Sequence, residues 1–239
     1  MPIITFANTK GGAGKTTVAL VLATELARRG HRVSVLDADP QQWASRWRRL
    51  SGEAAEFAVI SNVAEDTIEQ QIKDLKKRGG YIIVDLPAGM SPLMAKAIGF
   101  SDHVMVPVQG CAMDAVGGAQ VLEIMKQLAS QHDIRIPHSV VLTRISSIIT
   151  TRALLAVKGL LAQQQVNVID TALIERAAYR DMFVSGGSLY TMDPARVSNL
   201  DKAQGNARLL AEDILRLVPP KAARAKSSKK ATDVVKNAA

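Results

Sequence analysis

The sequence predicts a three-layer α/β fold, a mostly parallel central sheet with helices on both faces. Three observations lead there. Short apolar runs at residues 3–7, 32–36, 81–84, 104–108 and 139–144 alternate with longer stretches of helical periodicity, the pattern of successive strand and helix units. The first run passes through a glycine-rich loop straight into an alanine- and leucine-rich stretch, so strand, loop and helix follow directly. Hydrophobic residues make up 47% of the chain and aromatics only 4%, which suits a core packed from Ala, Val, Ile and Leu. At 239 residues the chain suits one domain over residues 1–218 and a short tail over 219–239.

Residues 8–17 read Asn-Thr-Lys-Gly-Gly-Ala-Gly-Lys-Thr-Thr. Glycines let backbone N–H groups converge on an anion without Cβ interference. The helix that follows aims its unpaired N–H groups and partial positive charge at the same place. The loop therefore predicts a nucleoside triphosphate site in which Gly11, Gly12, Ala13, Gly14 and Thr17 surround the phosphates. Lys15 reaches the β- and γ-phosphates and Thr16 ligates Mg²⁺. A dinucleotide loop would need a third glycine at residue 17, where Thr17 stands, and would leave Lys15 and Thr16 without a task. The loop also departs from the ordinary phosphate-loop pattern: Thr9 occupies the position of its first glycine, and an extra lysine, Lys10, precedes Gly11.

Lys-Gly-Gly-x-Gly-Lys-Thr-Thr is the deviant Walker A signature, and with it the sequence resembles the ParA/MinD superfamily of P-loop ATPases. Size and plain N-terminus look most like the small ParF-type plasmid-partition ATPases. The resemblance covers residues 1–218 and is tightest at the three nucleotide segments. It implies ATP and Mg²⁺ as cofactors and an ATP-dependent homodimer. It also implies a role for Lys10 that spacing alone does not show: reaching across the dimer to the phosphates bound by the other subunit. Lys10, Lys15 and Asp39 are the catalytic residues this resemblance points to.

The run at 32–36 ends in Asp37-Ala38-Asp39-Pro40-Gln41. Pro40 stops the strand, and two carboxylates at a strand's C-terminal end sit where open α/β sheets bind ligands. By the resemblance this is switch I, in which Asp39 helps position Mg²⁺ and the attacking water. Asp37 is either a second functional acid or a loop cap. Residues 42–50 then place Trp43, Trp47 and Leu50 at helical spacing, which predicts one stripe packed on the body with Arg46, Arg48 and Arg49 away from it. An aromatic and basic nucleic-acid surface is the alternative reading.

Residues 65–78 predict an amphipathic helix with Ile68, Ile72 and Leu75 on one face, ended by Gly79-Gly80. The apolar strand at 81–84 carries Asp85 at its tip. A carboxylate there is costly unless solvated or beside a cation, and next to a Lys/Thr phosphate loop the cation is Mg²⁺. The resemblance makes this the Walker B strand and residues 86–89 switch II, where a backbone N–H near Gly89 senses the γ-phosphate. A strand at 104–108, a loop through Cys111 and Asp114 and a helix over 115–131 follow. The strand at 139–144 ends in Thr143-Arg144, where relatives often carry Asn-Arg with the asparagine on adenine. Both residues are nucleotide-site candidates, and Thr143 leaves the base contact open. A helix over 151–164, extended segments at 166–170 and 173–174, and a closing helix over 203–218 complete the chain. Leu209, Leu210, Ile214, Leu215 and Leu217 of that last helix are expected to pack on the sheet.

The single cysteine, Cys111, excludes an intramolecular disulfide framework and a cysteine-paired metal site, and is read as a packed residue. The histidines, His31, His103, His132 and His138, show no ligand spacing and are expected at the surface or at strand edges. No run approaches the roughly 18 consecutive apolar residues of a membrane span. The N-terminus leads straight into the first strand, with no room before Ile3 for a helix-turn-helix domain. A cytoplasmic, nucleoid-associated protein without a membrane partner is expected. Net charge is +8, and the tail from Pro219 carries six basic residues against one acid, Asp233. Such a tail predicts disorder and attraction to polyanions, whether nucleic acid or an anionic membrane.

The resemblance implies a DNA-partition ATPase of weak intrinsic activity. It would dimerise on ATP, bind double-stranded DNA nonspecifically and be released when a centromere-binding partner protein stimulates hydrolysis. Candidate DNA contacts are Arg152, Arg176, Arg180 and the tail lysines Lys226, Lys229 and Lys230, although each arginine alone also suits an ordinary solvated position. The alternatives are a ParA-like ATPase positioning another cargo, such as chemoreceptor clusters, microcompartments or transfer-DNA complexes, and a MinD-type membrane-surface ATPase using the closing helix. An ATP-dependent amidase-synthetase is disfavoured because no second catalytic constellation appears.

Overall fold

The structure, a computed structural model, describes residues 1–110 and 112–220. Cys111 and the tail lysines Lys226, Lys229 and Lys230 lie outside the described residues. Seven strands form one sheet: β1 (Ile3–Phe6), β2 (Val33–Asp37), β3 (Ala58–Ile60), β4 (Tyr81–Asp85), β5 (His103–Gln109), β6 (His138–Ile145) and β7 (Leu173–Ile174). Their order is β3-β2-β4-β1-β5-β6-β7 and every pairing is parallel. The chain first builds outward from β1 on one side and then crosses to β5 on the other. This places the end of β1 at a topological switch point, where open sheets hold their ligands.

The apolar runs are continuous because both faces of the sheet are covered. Ile4, Phe6, Val35, Ile83, Met105 and Val141 point into one layer, with α1 (Lys15–Arg28), α2 (Trp43–Ser51), α7 (Ala177–Ser185) and α8 (Leu200–Leu217). Ile3, Leu36, Val84, Val104, Val106 and Leu142 point into the other, with α3 (Ile68–Arg78), α4 (Pro92–Gly99), α5 (Ala112–His132) and α6 (Arg152–Gln163). The three-layer architecture predicted from sequence is the one observed. Ile68, Ile72 and Leu75 are the buried stripe of α3, and Gly79 ends it with φ 75°. Thr151 caps α6 by accepting the Leu154 N–H.

Several details differ from the sequence reading. In α2 the buried face runs through Ala44, Trp47 and Ser51, so Trp43 and Leu50 are 45% and 55% exposed and only Trp47 enters the core. Trp47 belongs to both faces, but Ala44 and Ser51 replace Trp43 and Leu50, which turns the buried stripe by roughly 65°. In α8 the buried residues are Leu200, Ala203, Ala207, Leu210, Ala211 and Ile214, while Leu209 and Leu217 are exposed. Small alanines let α8 sit close on α1, and a count of bulky residues misses them. Helix α5 begins at Ala112 rather than after a loop through Asp114. His103 is buried within β5, not at an edge, its ring sharing a hydrogen bond of 3.0 Å with the Ser139 hydroxyl. Among the described residues no helix is long and apolar enough to cross a membrane.

Candidate nucleotide site

At the end of β1 the chain leaves the sheet as the glycine-rich loop, and side chains from distant strands hold it in place. Asn8 is buried; its Nδ2 donates to the Pro107 carbonyl at 2.7 Å and its Oδ1 accepts the Lys10 N–H at 2.8 Å. Thr143 Oγ1 donates to the Ala13 carbonyl at 2.8 Å, and Gln109 Nε2 donates to that of Gly12. Gly14 stands at φ 92°, a left-handed conformation that turns the chain into α1 and that a side chain would strain. Helix α1 then starts at Lys15 with no side-chain cap and no acid in its first turn. Its first N–H groups are left for an anion.

Lys15 is buried within the loop, its Nζ donating to the carbonyls of Asn8 at 3.1 Å and Lys10 at 3.2 Å. Burial lowers its pKa, while the charges of Asp85 and Asp39 oppose the shift. Asp85, at the tip of β4, is fully buried, and neither carboxylate oxygen has a hydrogen-bond partner among the described residues. Burial raises its pKa to about 7; the Thr16 hydroxyl and Lys15 pull the other way, and Asp37 and Asp39 add to the rise. Thr16 is thus close without completing a hydrogen bond. A buried carboxylate left in this state is costly, and a cation placed against it would remove the cost.

The two switch I acids separate clearly. Asp37 Oδ2 accepts both the N–H and the hydroxyl of Ser45, each at 2.7 Å, while Oδ1 accepts the Asp39 N–H at 3.3 Å. Ser45 is the third residue of α2, so Asp37 caps that helix from the strand and its oxygens are occupied. Asp39 is half-buried and accepts the Gln41 N–H at 2.8 Å through Oδ1. Among the described residues no three His, Cys, Asp or Glu side chains gather into a cage. That suits Mg²⁺, which commonly takes one or two carboxylates and completes its shell with water and substrate phosphate. Thr16, Asp85 and Asp39 are the residues here that fit it.

A cleft of about 660 Å³ opens above these groups. Loop residues from Gly11 to Thr17, Asp39, Pro40, Pro87 and Ala88 line one part of it; Trp43, Arg144, Arg180 and Phe183 also face it. Gly89 donates its N–H to the Thr9 carbonyl at 2.8 Å, tying switch II to the loop rather than presenting that N–H to the cleft. Thr143 is fully buried beneath the loop, and Arg144, with φ 52°, reaches Glu175 at 3.6 Å. Lys10 is half-buried and its ammonium makes no ion pair among the described residues.

The arginine candidates do not form one patch. Arg180 pairs with Glu175 at 2.9 Å and lines the cleft, and Arg176 is half-buried with its Nε enclosed and without a hydrogen-bond partner among the described residues. Arg152 opens α6 on the opposite layer, exposed. Asn8, Gln109, Trp43 and Phe183 escaped the sequence reading of the site. They come from well-separated segments, and no local pattern marks them.

The sequence model of the VirC1 protein family matches residues 1–218. Protein ParA of Rhizobium radiobacter is 35% identical over 216 residues, 90% of this chain and 97% of that protein. Maintenance of carboxysome distribution protein A of Halothiobacillus neapolitanus is 27% identical over 190 residues, 78% of this chain and 85% of that protein. Among solved structures, Cyanothece McdA in complex with ATP shares the fold with a TM-score of 0.74 at 16% identity, over 92% of this chain and 97% of that one. A family match over residues 1–218 and a two-lysine phosphate loop built as described lead to one assignment: the chain belongs to the VirC1 family, within the ParA/MinD superfamily of ATPases.

Proposed function

We propose that this protein hydrolyses ATP with Mg²⁺, dimerises on ATP and binds double-stranded DNA without sequence preference. A centromere-binding partner that stimulates hydrolysis releases it, and a plasmid is thereby partitioned. The observation that carries the reading is Asp85, fully buried beside Thr16 and Lys15 with neither oxygen hydrogen-bonded among the described residues. A cation placed against Asp85 would remove the cost of its burial, and the loop beside it is built to hold the phosphates that bring such a cation. Thr16, Asp85 and Asp39 would hold Mg²⁺, which spreads and neutralises charge on the phosphoryl oxygens. Lys15 and the loop N–H groups bind and orient the phosphates, Asp39 orients the attacking water, and Lys10 reaches the phosphates of the opposite subunit.

DNA binding rests on charge: net +8 overall, an exposed Arg152 and the basic tail. The relative named ParA supports plasmid partition, and the carboxysome-distribution relative supports a second reading in which the same ATP cycle positions another cargo. A membrane-surface role through the closing helix is less favoured, because the apolar face of α8 is already buried against the sheet and α1. A nucleoid-associated location follows from the DNA reading.

The deciding experiment is binding to random-sequence duplex DNA with ATP, ADP or no nucleotide across a salt series, for the full chain and a truncation after Val218. ATP-dependent, salt-sensitive binding that survives truncation supports the proposal. Nucleotide-independent binding that vanishes with the tail refutes it and leaves the tail as a simple polycation.

A further inference from the structure

The phosphate end of the cleft is made of backbone N–H groups, lysine and carboxylate. Its remaining lining has different chemistry. Trp43, the first residue of α2, meets Phe183 of α7 edge to face, ring centroids 6.3 Å apart at 89°. The Arg46 guanidinium lies 5.1 Å from the Trp43 ring centroid, yet Trp43 stays 45% exposed. Arg144 and Arg180 approach the same space, both drawn to Glu175, at 3.6 Å and 2.9 Å. Trp43 lies outside the buried face of α2, which runs through Ala44, Ser45, Trp47 and Ser51, and its ring contact is the edge-to-face one with Phe183. A large ring held at the mouth of a polar cleft by one aromatic and one cation is a surface without an assigned occupant.

The occupant follows from continuity with the phosphate loop. A triphosphate anchored between Gly11 and Thr16 sends its ribose and base along the cleft, away from the loop. Thr143, at the end of β6 beside the loop, is fully buried, with its hydroxyl donated to the Ala13 carbonyl. It is a brace for the loop and has no donor left for a base. Two aromatic rings and two guanidinium planes in the rest of the lining are the groups that hold a flat heterocycle by its π-faces. We propose that Trp43 and Phe183, with Arg180, form a clamp that stacks the purine base of the bound nucleoside triphosphate. The inference rests on the triphosphate reading of the loop. It adds that switch I contributes to base binding through Trp43, four residues beyond Asp39.

The test separates base from phosphate. ATP and inorganic tripolyphosphate are titrated, each with Mg²⁺, into the full-length native chain and its Trp43→Ala, Trp43→Phe and Phe183→Ala variants. Stacking predicts that Trp43→Ala weakens ATP binding about tenfold and leaves tripolyphosphate binding unchanged. Trp43→Phe should recover most of the loss, and Phe183→Ala should share its direction. ATP, but not tripolyphosphate, should quench a tryptophan fluorescence component that Trp43→Phe removes. Equal weakening of both ligands in Trp43→Ala overturns the clamp, since the ring would then only shape the loop. Unchanged ATP affinity in Trp43→Ala overturns it as well and leaves Trp43 as a surface for a protein partner. A native chain that binds neither ligand fails at the phosphate loop itself, a result distinct from loss of the clamp alone.

Discussion

Gly117 of α5 lies against Asn8 of the phosphate loop so closely that a Cβ on the glycine would sit 2.2 Å from Asn8 Oδ1 and 3.0 Å from the Lys10 nitrogen. The Thr9 hydroxyl reinforces the contact by donating to the Gly117 carbonyl at 3.3 Å and hydrogen-bonding the Gln120 side chain. Helix α5 is therefore one wall of the loop that carries Lys10.

Gly117→Ala forces the helix and the loop apart. Overpacking of this kind costs about 1–3 kcal/mol. It should lower the denaturation midpoint and weaken ATP binding together, because Asn8 and Lys10 move with the loop. Gly159→Ala is the matched comparison: on the exposed face of α6, nothing among the described residues beyond its chain neighbours and its own helix backbone lies within 4 Å of the new Cβ. That change should stabilise by up to about 1 kcal/mol through helix propensity and leave ATP affinity unchanged. Native-like ATP affinity in Gly117→Ala, measured by titration calorimetry, would show that the loop tolerates the displacement.

The two loop lysines should part on substitution. Lys15 is buried among loop carbonyls and aimed at the anion site, so Lys15→Ala is expected to abolish ATP binding. Lys10 makes no ion pair among the described residues. Lys10→Ala should keep ATP affinity within a few-fold while ATP-dependent dimerisation or turnover falls, about tenfold or more for an interaction made mainly in the transition state. Sedimentation velocity with ATP, alongside equilibrium binding, reads both outcomes. A Lys10→Ala chain that dimerises and turns over normally would remove Lys10 from the mechanism.

Asp37 and Asp39 are two residues apart and should fail in opposite ways. Asp37→Ala leaves the Ser45 N–H and hydroxyl without their acceptor inside the fold, a loss of about 1–3 kcal/mol. Asp39→Ala removes one contact to the Gln41 N–H near the surface and should barely change stability. Its effect belongs to turnover, with a dimer that forms on ATP and hydrolyses slowly. Thermal melts and phosphate release on the two variants give the pattern, and a strongly destabilised Asp39→Ala with normal turnover would reverse it.

The same pair shows what the sequence could tell. Asp-x-Asp-Pro marks a switch segment, but which acid is free depends on Ser45, eight residues on, and the dipeptide spacing carries no trace of it. The strand–loop–helix start and the two strand-end acids were legible because they are local: period, glycine and a terminal charge within about ten residues. The mostly parallel sheet and its two helical layers followed from alternation of strand and helix, whereas the strand order came only with the structure. What stayed hidden came from contacts across the chain. Asn8 with Pro107, Gln109 with Gly12, Thr143 with Ala13 and Trp43 with Phe183 each join segments that no window spans. Short β3 and the alanine-rich face of α8 were hidden for another reason, since neither has the run of bulky residues that periodicity detects.

His103 supplies the last prediction, on stability against pH. It is 4% exposed in β5, and its Nε2 faces the Ser139 hydroxyl, which accepts a second hydrogen bond from Asn167 Nδ2 at 2.7 Å. Buried against this hydroxyl, the ring is held in its neutral form, whose Nε2 can share the hydrogen bond with Ser139 in either tautomer. Burial, and then the neighbouring charge of His138, lowers the His103 pKa from 6.5 to about 4. The unfolded chain therefore binds a proton at this position over a range where the native chain does not. The contribution to stability is fully present above the unfolded value and is lost as pH falls toward the folded one. Between about pH 7 and about pH 5 the native chain should lose on the order of 1 kcal/mol more than His103→Gln, whose amide can still hydrogen-bond Ser139 and has nothing to titrate. Denaturant midpoints of the two chains across that range make the comparison, with all carboxylate effects common to both. Parallel curves would mean that the ring accepts its proton in the folded state at little cost.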